Sequence, residues 1–401
     1  MNTHTRHRLL IFLPRNQYIN PTEEVFLRYL AREHRVLFYG PGYVREGDLE
    51  KDARRVYDRY GPFDAALVHQ YFLYGDMKKA ERSCYFPFNV KDFVEKNPSF
   101  PLHFNALPCV RIAMLLRMDY YALTREQVRI LEDFPGYFLS WPRQFIKAKA
   151  ELPKLNNEAF YESVTDNYRC FLSENGERII PFMHLIDDDH IYPVRPGGKK
   201  TTVCVPGHLY SERRRALDYL SQTGFRSNNR SMLASGLSRG LETVSGRGLY
   251  ARKWGIRLLR SMFRNRIRRS WISFTDGSLL RWPIRKYFEI PAYGSLLVCD
   301  PFNNYRDLGF ETDKNCFMTS AQELPEVVRY ALSHFQETLG VIKRSQAMIK
   351  EFHSASVRVK QFAAVLDAIR KGSYLGARWQ KGELLIRTQP PENAPGKGTP
   401  Y

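Results

Sequence analysis

One carboxylate stands in the most informative stretch of the chain, RKYFEIPAYGSLLVCD (285–300). The pattern predicts a helix that carries Glu289, a turn at Gly294 and then a buried strand, because glycine commonly ends helices. A carboxylate in this place can accept hydrogen bonds from both hydroxyls of a ribose, as the acidic residue of dinucleotide-binding folds does. The alternative is an ordinary solvated helix glutamate.

Several well-defined chemistries have no motif in the sequence. No GxGxxG follows a strand and no GxxxxGK[ST] occurs, which argues against NAD-dependent dehydrogenases and P-loop NTPases. HExxH, GxSxG and DxDxDG are missing as well. The six cysteines are scattered without a CxxC pair, so we expect buried free thiols in a reducing compartment and no zinc site or disulfide framework.

The elements that would position a site alternate between apolar runs and amphipathic segments. In the first half, strands are predicted at 8–14, 34–40, 63–71, 110–119 and 136–141, with helices between them. The polar segment 187–200 reads as a linker, after which the pattern restarts with strands at 201–207, 269–277 and 295–301 and a long helical stretch at 341–371. Strands that alternate with helices indicate parallel sheets.

We therefore predict an α/β fold with two Rossmann-like, doubly wound domains that face each other across a cleft. The predicted divisions are an N-terminal domain at 1–190, a C-terminal domain at 199–345, a helix at 346–372 that crosses back, and a disordered tail at 388–401. Ligands of such sheets bind at the carboxyl ends of the strands, so the cleft is the expected site.

The 285–300 stretch resembles the signature of GT-B glycosyltransferases, and especially the spore-maturation CgeB-like family, whose C-terminal domains carry an R-x-FE-x-xA-x-G pattern. The matching residues are Lys286, Phe288, Glu289, Ala292 and Gly294. Residues 201–220 and 307–332 are also similar to that family, and the resemblance covers about 180–370. It implies a glycosyltransferase whose N-terminal domain binds an acceptor and whose C-terminal domain binds a nucleotide sugar.

The resemblance implies that Glu289 binds the donor's ribose and that Gly207 and Arg213 lie at its diphosphate. Glycine lets backbone amides approach phosphate, and arginine can clamp phosphate oxygens with two hydrogen bonds. The alternative for Arg213 is a solvated helix face, since it stands in a run of three arginines. We also assign Lys286 to donor binding.

One position departs from the retaining GT-B pattern, which has a second glutamate eight residues before the first. Here that position is Arg281, and Asp276 at a strand end is the candidate substitute. If the reaction inverts, a general base should lie at a strand's carboxyl end in the N-terminal domain, where His69 and Asp119 qualify.

Two further residues, Arg15 and Asn16, follow the first predicted strand and are candidates to contact the acceptor or phosphates. No cofactor or essential metal is expected. The run Asp187-Asp188-Asp189-His190 invites a metal interpretation, but adjacent residues of an extended linker point in different directions.

A net charge of +19 indicates anionic partners. The segment 249–269 predicts a helix with an arginine- and lysine-rich stripe formed by Lys253, Arg257, Arg260, Arg264 and Arg268. An anionic membrane surface and a solvated domain face both fit this stripe, while no recognition motif supports nucleic acid. No predicted span or signal peptide occurs, so we expect a cytoplasmic protein, either free or peripheral on the inner face of the membrane.

Three functions are consistent with these patterns. The first is transfer of a sugar from a nucleotide sugar to a glycan, a lipid-linked sugar or a protein. The second is a binding protein that has the GT-B shape without activity, and the third is a basic nucleic-acid-binding protein. Donor turnover separates the first two, and salt-dependent binding to duplex DNA would favour the third.

Overall fold

The computed structural model describes residues 6–15, 17–18, 20–74, 84–85, 96–116, 125–146, 166–207, 209, 211–225, 227, 238, 240–243, 248–249, 252–277 and 281–389. Within these ranges the chain forms two α/β domains, followed by a C-terminal helix and a hairpin.

The N-terminal domain is built on a parallel six-stranded sheet. Its strands, with a separate short pair, are β1 (Arg8–Phe12), β2 (Gln17–Tyr18), β3 (Arg35–Tyr39), β4 (Ala65–His69), β5 (Cys84–Tyr85), β6 (Val110–Leu115), β7 (Tyr137–Ser140) and β8 (Ile179–Pro181). The order in the large sheet is β3-β1-β4-β6-β7-β8. Since β3 lies on one side of β1 and β4 on the other, the strand order reverses there and opens a crevice at the carboxyl ends of β1 and β4.

Helices cover both faces of this sheet. They are α1 (Thr22–Glu33), α2 (Ala53–Tyr60), α3 (Tyr71–Tyr74), α4 (Phe100–Asn105), α5 (Arg125–Glu132) and α6 (Tyr168–Glu174). The apolar strands are buried on both sides, as parallel sheets require, and their alternate residues divide between two hydrophobic cores.

The C-terminal domain has a second parallel sheet. Its strands are β9 (Thr201–Cys204), β10 (Ser270–Thr275), β11 (Leu296–Cys299) and β12 (Phe317–Met318), in the order β12-β11-β10-β9. An isolated parallel bridge joins Val203 of β9 to Ser227 on the side away from β10. After β9, the chain first forms a bridge on one side of this strand, at Ser227, and then adds β10 on the other side. The strand order therefore reverses between β9 and β10, which places a second switch point at their carboxyl ends.

The helices that accompany this sheet in the described ranges include α7 (Ser211–Gln222), α8 (Lys253–Arg268), α9 (Lys286–Ala292), α10 (Leu324–Ser333) and α11 (Phe335–Phe352). The predicted continuous helix at 341–371 is wrong in one respect, because the chain breaks at His353–Ser354 between α11 and α12 (Ala355–Arg370). Ile186, directly before the linker, donates to the His353 carbonyl at 2.9 Å and accepts from the Ala355 amide at 2.8 Å. Ile186 thus pairs with the backbone groups that an unbroken helix would have paired internally.

The helix α12 crosses back to the N-terminal domain, as predicted. Its Val359, Phe362 and Leu366 share one hydrophobic core with Phe26 and Leu30 of α1. An unpredicted hairpin follows, formed by β13 (Tyr374–Gln380) and β14 (Glu383–Thr388). Most of the predicted disordered tail, residues 390–401, lies outside the described residues.

The acidic linker contacts α1 of the N-terminal domain and the C-terminal helix α12. Asp187 pairs with Arg28 and accepts from Tyr29 Oη at 3.0 Å, while Asp188 accepts from the Ser356 amide at 3.2 Å. Burial alone would raise the pKa of Asp187, but the bond from Arg28 brings it below its usual value. In the described part of the chain, no three His, Cys, Asp or Glu side chains converge as metal ligands, and no helix is long and apolar enough to cross a bilayer.

Candidate functional site

The loop after β9 brings Gly207 against the side chain of Lys286 on α9. Gly207 has φ +96°, and a Cβ there would lie 2.5 Å from Cε and 2.9 Å from Nζ of Lys286. Glycine is therefore needed twice, for the backbone conformation and for the space that the lysine fills. The lysine is positioned at the switch point of the C-terminal sheet.

Arg213 and Asp276 form a buried ion pair beside this lysine. Arg213 stands in the first turns of α7, and Asp276 follows β10, so the pair joins the two elements that flank the switch point. The Arg213 guanidinium also faces the backbone carbonyl of Asp276 at 3.4 Å. The structure thus brings Gly207, Arg213, Asp276 and Lys286 together, and Asp276 is occupied by the arginine.

Lys286 is the cation of this group that is held least by carboxylates. Among the described residues, no carboxylate oxygen lies within 4.0 Å of its Nζ, whereas Arg213 has Asp276. Burial, and then the neighbouring Arg213 charge, lower the pKa of Lys286 to about 7. An anion bound beside Lys286 would stabilise its charged form and so raise its pKa again.

Glu289 lies on α9, as predicted, and it is buried, so the alternative of a solvated helix glutamate is wrong. Its Oε1 accepts from Arg285 Nε at 2.8 Å and from Tyr293 Oη at 3.3 Å. Arg285, which the sequence analysis did not single out, also donates to Thr22 Oγ1 of the N-terminal domain at 2.6 Å. Arg285 therefore links Glu289, the predicted ribose-binding carboxylate, to Thr22 across the domain interface.

A second missed residue is Asp300, which directly follows β11. Its Oδ1 accepts from the Gly277 amide at 2.9 Å and from Tyr287 Oη at 2.8 Å. Burial is the main reason that the pKa of Asp300 rises to about 6, with the Asp276 charge adding to it. The rule that selected His69 and Asp119, a polar residue at a strand's carboxyl end, also applies to Asp300.

On the N-terminal side, His69 ends β4 at the other switch point and is fully buried. Its Nδ1 accepts from the Tyr71 amide at 3.3 Å, and its Nε2 lies 3.5 Å from Oε2 of Glu23, another residue that sequence reasoning missed. Arg15 follows β1, where its amide donates to Pro41, and its side chain is exposed. The other two predicted residues, Asp119 and Asn16, lie outside the described residues.

The domains meet over the cleft through aromatic and charged contacts. Trp141, after β7, packs against Trp282 with ring centroids 5.6 Å apart. Glu24 of α1 accepts from Arg260 of α8 at 2.9 Å. Together with the bond from Arg285 to Thr22, these contacts place the first turn of α1 against the C-terminal side of the cleft.

The predicted basic stripe on α8 is divided between two environments. Arg260 pairs with Glu24, Arg264 contacts His190 at 2.9 Å, and the Arg268 guanidinium lies 3.9 Å from the centre of the Tyr192 ring. Lys253 and Arg257 are exposed. The three arginines therefore hold the helix against α1 and the linker, and of the five stripe residues Lys253 and Arg257, in the first two turns, are the ones exposed to solvent.

Solved structures with the same two-domain arrangement match the chain almost from end to end. A glycosyltransferase from Rickettsia africae aligns with a TM-score of 0.54 at 10% identity, over 92% of this chain and 100% of its own. HepE from Anabaena in complex with UDP aligns with a TM-score of 0.52 at 12% identity, over 90% of this chain and 100% of its own. The catalytic domain of starch synthase IV from Arabidopsis thaliana, bound to ADP and acarbose, aligns with a TM-score of 0.52 at 10% identity, over 91% of this chain and 99% of its own.

The chain has the GT-B fold. At these identities the likeness establishes the architecture of the GT-B fold and no more. A family model described as glycosyl transferase-like matches residues 263–364, which include α9, β11, Asp276 and Lys286 but not Gly207 or Arg213. No curated protein sequence matches the chain significantly. In the GT-B frame, the Lys286 group and the His69–Glu23 pair lie on opposite walls of the cleft, each at the switch point of its own sheet.

Proposed function

We propose that the chain is a glycosyltransferase that transfers a sugar from a nucleotide-sugar donor to an acceptor hydroxyl. The observation that carries the proposal is the cation at the C-terminal switch point, where Lys286 is held against Gly207 beside Arg213. A partly desolvated lysine with a lowered pKa is a ready partner for the phosphates of a nucleotide diphosphate sugar. The match of a glycosyl transferase-like family model to 263–364 supports the same assignment.

Each donor group has a candidate residue in this site. Lys286 and Arg213 would hold the diphosphate, and Glu289 would accept from the ribose hydroxyls through Oε2, since its Oε1 already accepts from Arg285 and Tyr293. Since Asp276 is paired with Arg213, the carboxylate that recognises the sugar is better supplied by Asp300. The UDP-glucose in one HepE complex and the ADP in starch synthase IV illustrate the ligand class. The CgeB-like resemblance remains our preferred family assignment.

The proposed acceptor is a hydroxyl of a glycan, a lipid-linked sugar or a protein, in a pathway such as polysaccharide biosynthesis. For membrane association, α8 offers a narrower surface than the sequence suggested. Trp254 is 51% exposed and Leu258 38% exposed, and they stand beside the exposed Lys253 and Arg257. Two cations contribute about 2 kcal/mol at an anionic surface, and the two apolar side chains would insert at the headgroup level.

The membrane proposal is tested by sedimentation with vesicles that contain phosphatidylglycerol. Binding should be lost when Trp254 and Leu258 are both changed to Ser, and kept when Arg260 is changed to Gln, because Arg260 faces Glu24. Equal sedimentation of both variants would remove α8 from the membrane contact.

The donor proposal is tested by titrating a panel of UDP-, ADP-, GDP- and CMP-sugars into the protein by calorimetry. We expect one to bind, and Lys286→Met to weaken that binding at least tenfold, while Lys350→Met on the exposed face of α11 leaves it unchanged. Turnover of the bound donor should persist in EDTA, since we propose no essential metal. Failure of every donor to bind would overturn the proposal, and binding without any turnover would favour a non-catalytic GT-B protein.

A further inference from the structure

A group of buried polar atoms without hydrogen-bond partners lies at the switch point of the N-terminal sheet. Among the described residues, neither carboxylate oxygen of Glu23 has a hydrogen-bond partner, and the same holds for Nε2 of His69 and both side-chain atoms of Gln70. All three side chains are at least nine-tenths buried. Buried polar groups are normally paired, so this concentration at a ligand-binding position indicates a missing partner.

The proton on His69 can be placed from its neighbours. Because the Tyr71 amide donates to Nδ1, that nitrogen carries the lone pair and Nε2 carries the hydrogen. The hydrogen points toward Glu23 Oε2, 3.5 Å away, which is longer than a strong hydrogen bond. His69 therefore has no free lone pair to accept a substrate proton. The carboxylate oxygens of Glu23 have lone pairs that can accept one.

Glu23 also lies close to the donor side of the cleft. Its chain neighbour Thr22 accepts from Arg285, which in turn holds Glu289, and its other neighbour Glu24 pairs with Arg260. The first turn of α1 thus carries Glu23 between two contacts to the C-terminal domain. On the other side, Glu23 is near enough to Tyr43 that its charge, after burial, contributes to raising the pKa of that phenol to about 12.

We propose that Glu23 is the general base that takes the proton of the acceptor hydroxyl, and that His69 positions it. This inference rests on the proposed function. As the hydroxyl oxygen bonds to the anomeric carbon, the bond from that carbon to phosphate breaks and its electron pair leaves with the nucleotide. The hydroxyl proton passes to Glu23, and the anomeric configuration inverts. The carboxylate is enclosed in this conformation, so the contact between Thr22 and Arg285 must open for an acceptor to enter.

The experiment uses the full chain and the nucleotide sugar that binds wild type most tightly in the donor panel. Glu23→Gln should lower the rate of nucleotide release about 10²–10⁴-fold and leave donor affinity within twofold. The matched control is Glu33→Gln, at the exposed end of the same helix, which should stay close to the wild-type rate. In Glu23→Ala, added formate should restore part of the activity by supplying the missing carboxylate.

His69 is tested as a positioning residue. His69→Gln keeps an N–H near the place of Nε2 and should retain most of kcat, while His69→Leu removes it and should lower kcat with little change in the donor's KM. Nuclear magnetic resonance of the released or transferred sugar should show inversion.

Two results would overturn the assignment: a Glu23→Gln enzyme with near-wild-type turnover, or a product that retains the donor's configuration. If no nucleotide sugar binds the wild type at all, the proposed function itself fails, and the calorimetric panel reports that separately.

Discussion

Donor binding should be coupled to the uptake of one proton by Lys286. In the free protein the pKa of this lysine is about 7, because burial and Arg213 disfavour its charge. A diphosphate beside it would favour the charged form and return the pKa to about 10.4, the ordinary value for lysine. The protonated protein then binds the donor better, so affinity should be highest at low pH and fall as pH rises through about 7.

Linkage gives the size of the effect. With these two pKa values, the donor's Kd rises about 50-fold between pH 7 and pH 9, and binding at pH 8 takes up about 0.9 proton per donor. The range begins at pH 7 because Asp300 has a pKa of about 6 and would contribute below it. A nucleotide diphosphate sugar is the suitable ligand, since its phosphates do not titrate in this range.

Calorimetry in buffers of different ionisation enthalpy counts the protons directly. Lys286→Met should bind weakly and without pH dependence, and Lys286→Arg should also lose the pH dependence because arginine stays charged. If the wild type binds with the same Kd at pH 7 and pH 9 and takes up no proton, Lys286 does not contact the diphosphate. A steep pH dependence that survives in Lys286→Met would assign it to another group.

Three more substitutions follow from the same site. Gly207→Ala should lower donor affinity at least tenfold in calorimetry, because its Cβ would come 2.5 Å from Cε of Lys286; unchanged affinity would show that the loop adjusts. Glu289→Ala should lower the free energy of unfolding in urea by about 3 kcal/mol, since it leaves the Arg285 guanidinium buried without its carboxylate, and Glu289→Gln should cost less. Asp300→Asn should raise the Kd of a UDP-sugar about tenfold and leave that of UDP unchanged, because only the sugar's hydroxyls need the carboxylate; an equal effect on both would place Asp300 at the nucleotide.

The sequence pattern was sufficient to predict the parallel sheets and the site residues that lie at strand ends. Apolar runs that alternate with helices specify two doubly wound domains, and their ligands gather where strands end, which is why Gly207, Asp276 and His69 all lie at switch points. The same rule explains why Lys286 and Arg213 meet, since each lies in the first turn of a helix next to such a loop.

Residues selected by packing could not be found in this way. Glu23 reads in the sequence as an ordinary acid in the first turn of a helix, which stabilises the helix dipole wherever it points. Its role depends on His69, which is 46 positions away and becomes its neighbour only when β4 is placed beside β1. Arg285 likewise reads as one more basic residue in a basic chain, and its contact to Thr22 depends on how the domains close.

The return of α12 to the N-terminal domain fixes when that domain can be completed during synthesis. Val359, Phe362 and Leu366 fill the core that α1 leaves open, although they are made more than 300 residues after Phe26. Domains usually fold in order as they leave the ribosome. Here the N-terminal domain cannot complete its core until α12 emerges, and an apolar face stays exposed until then. A chain that stops before residue 355 would leave the first domain short of its core, even though the missing residues belong to the far end of the sequence.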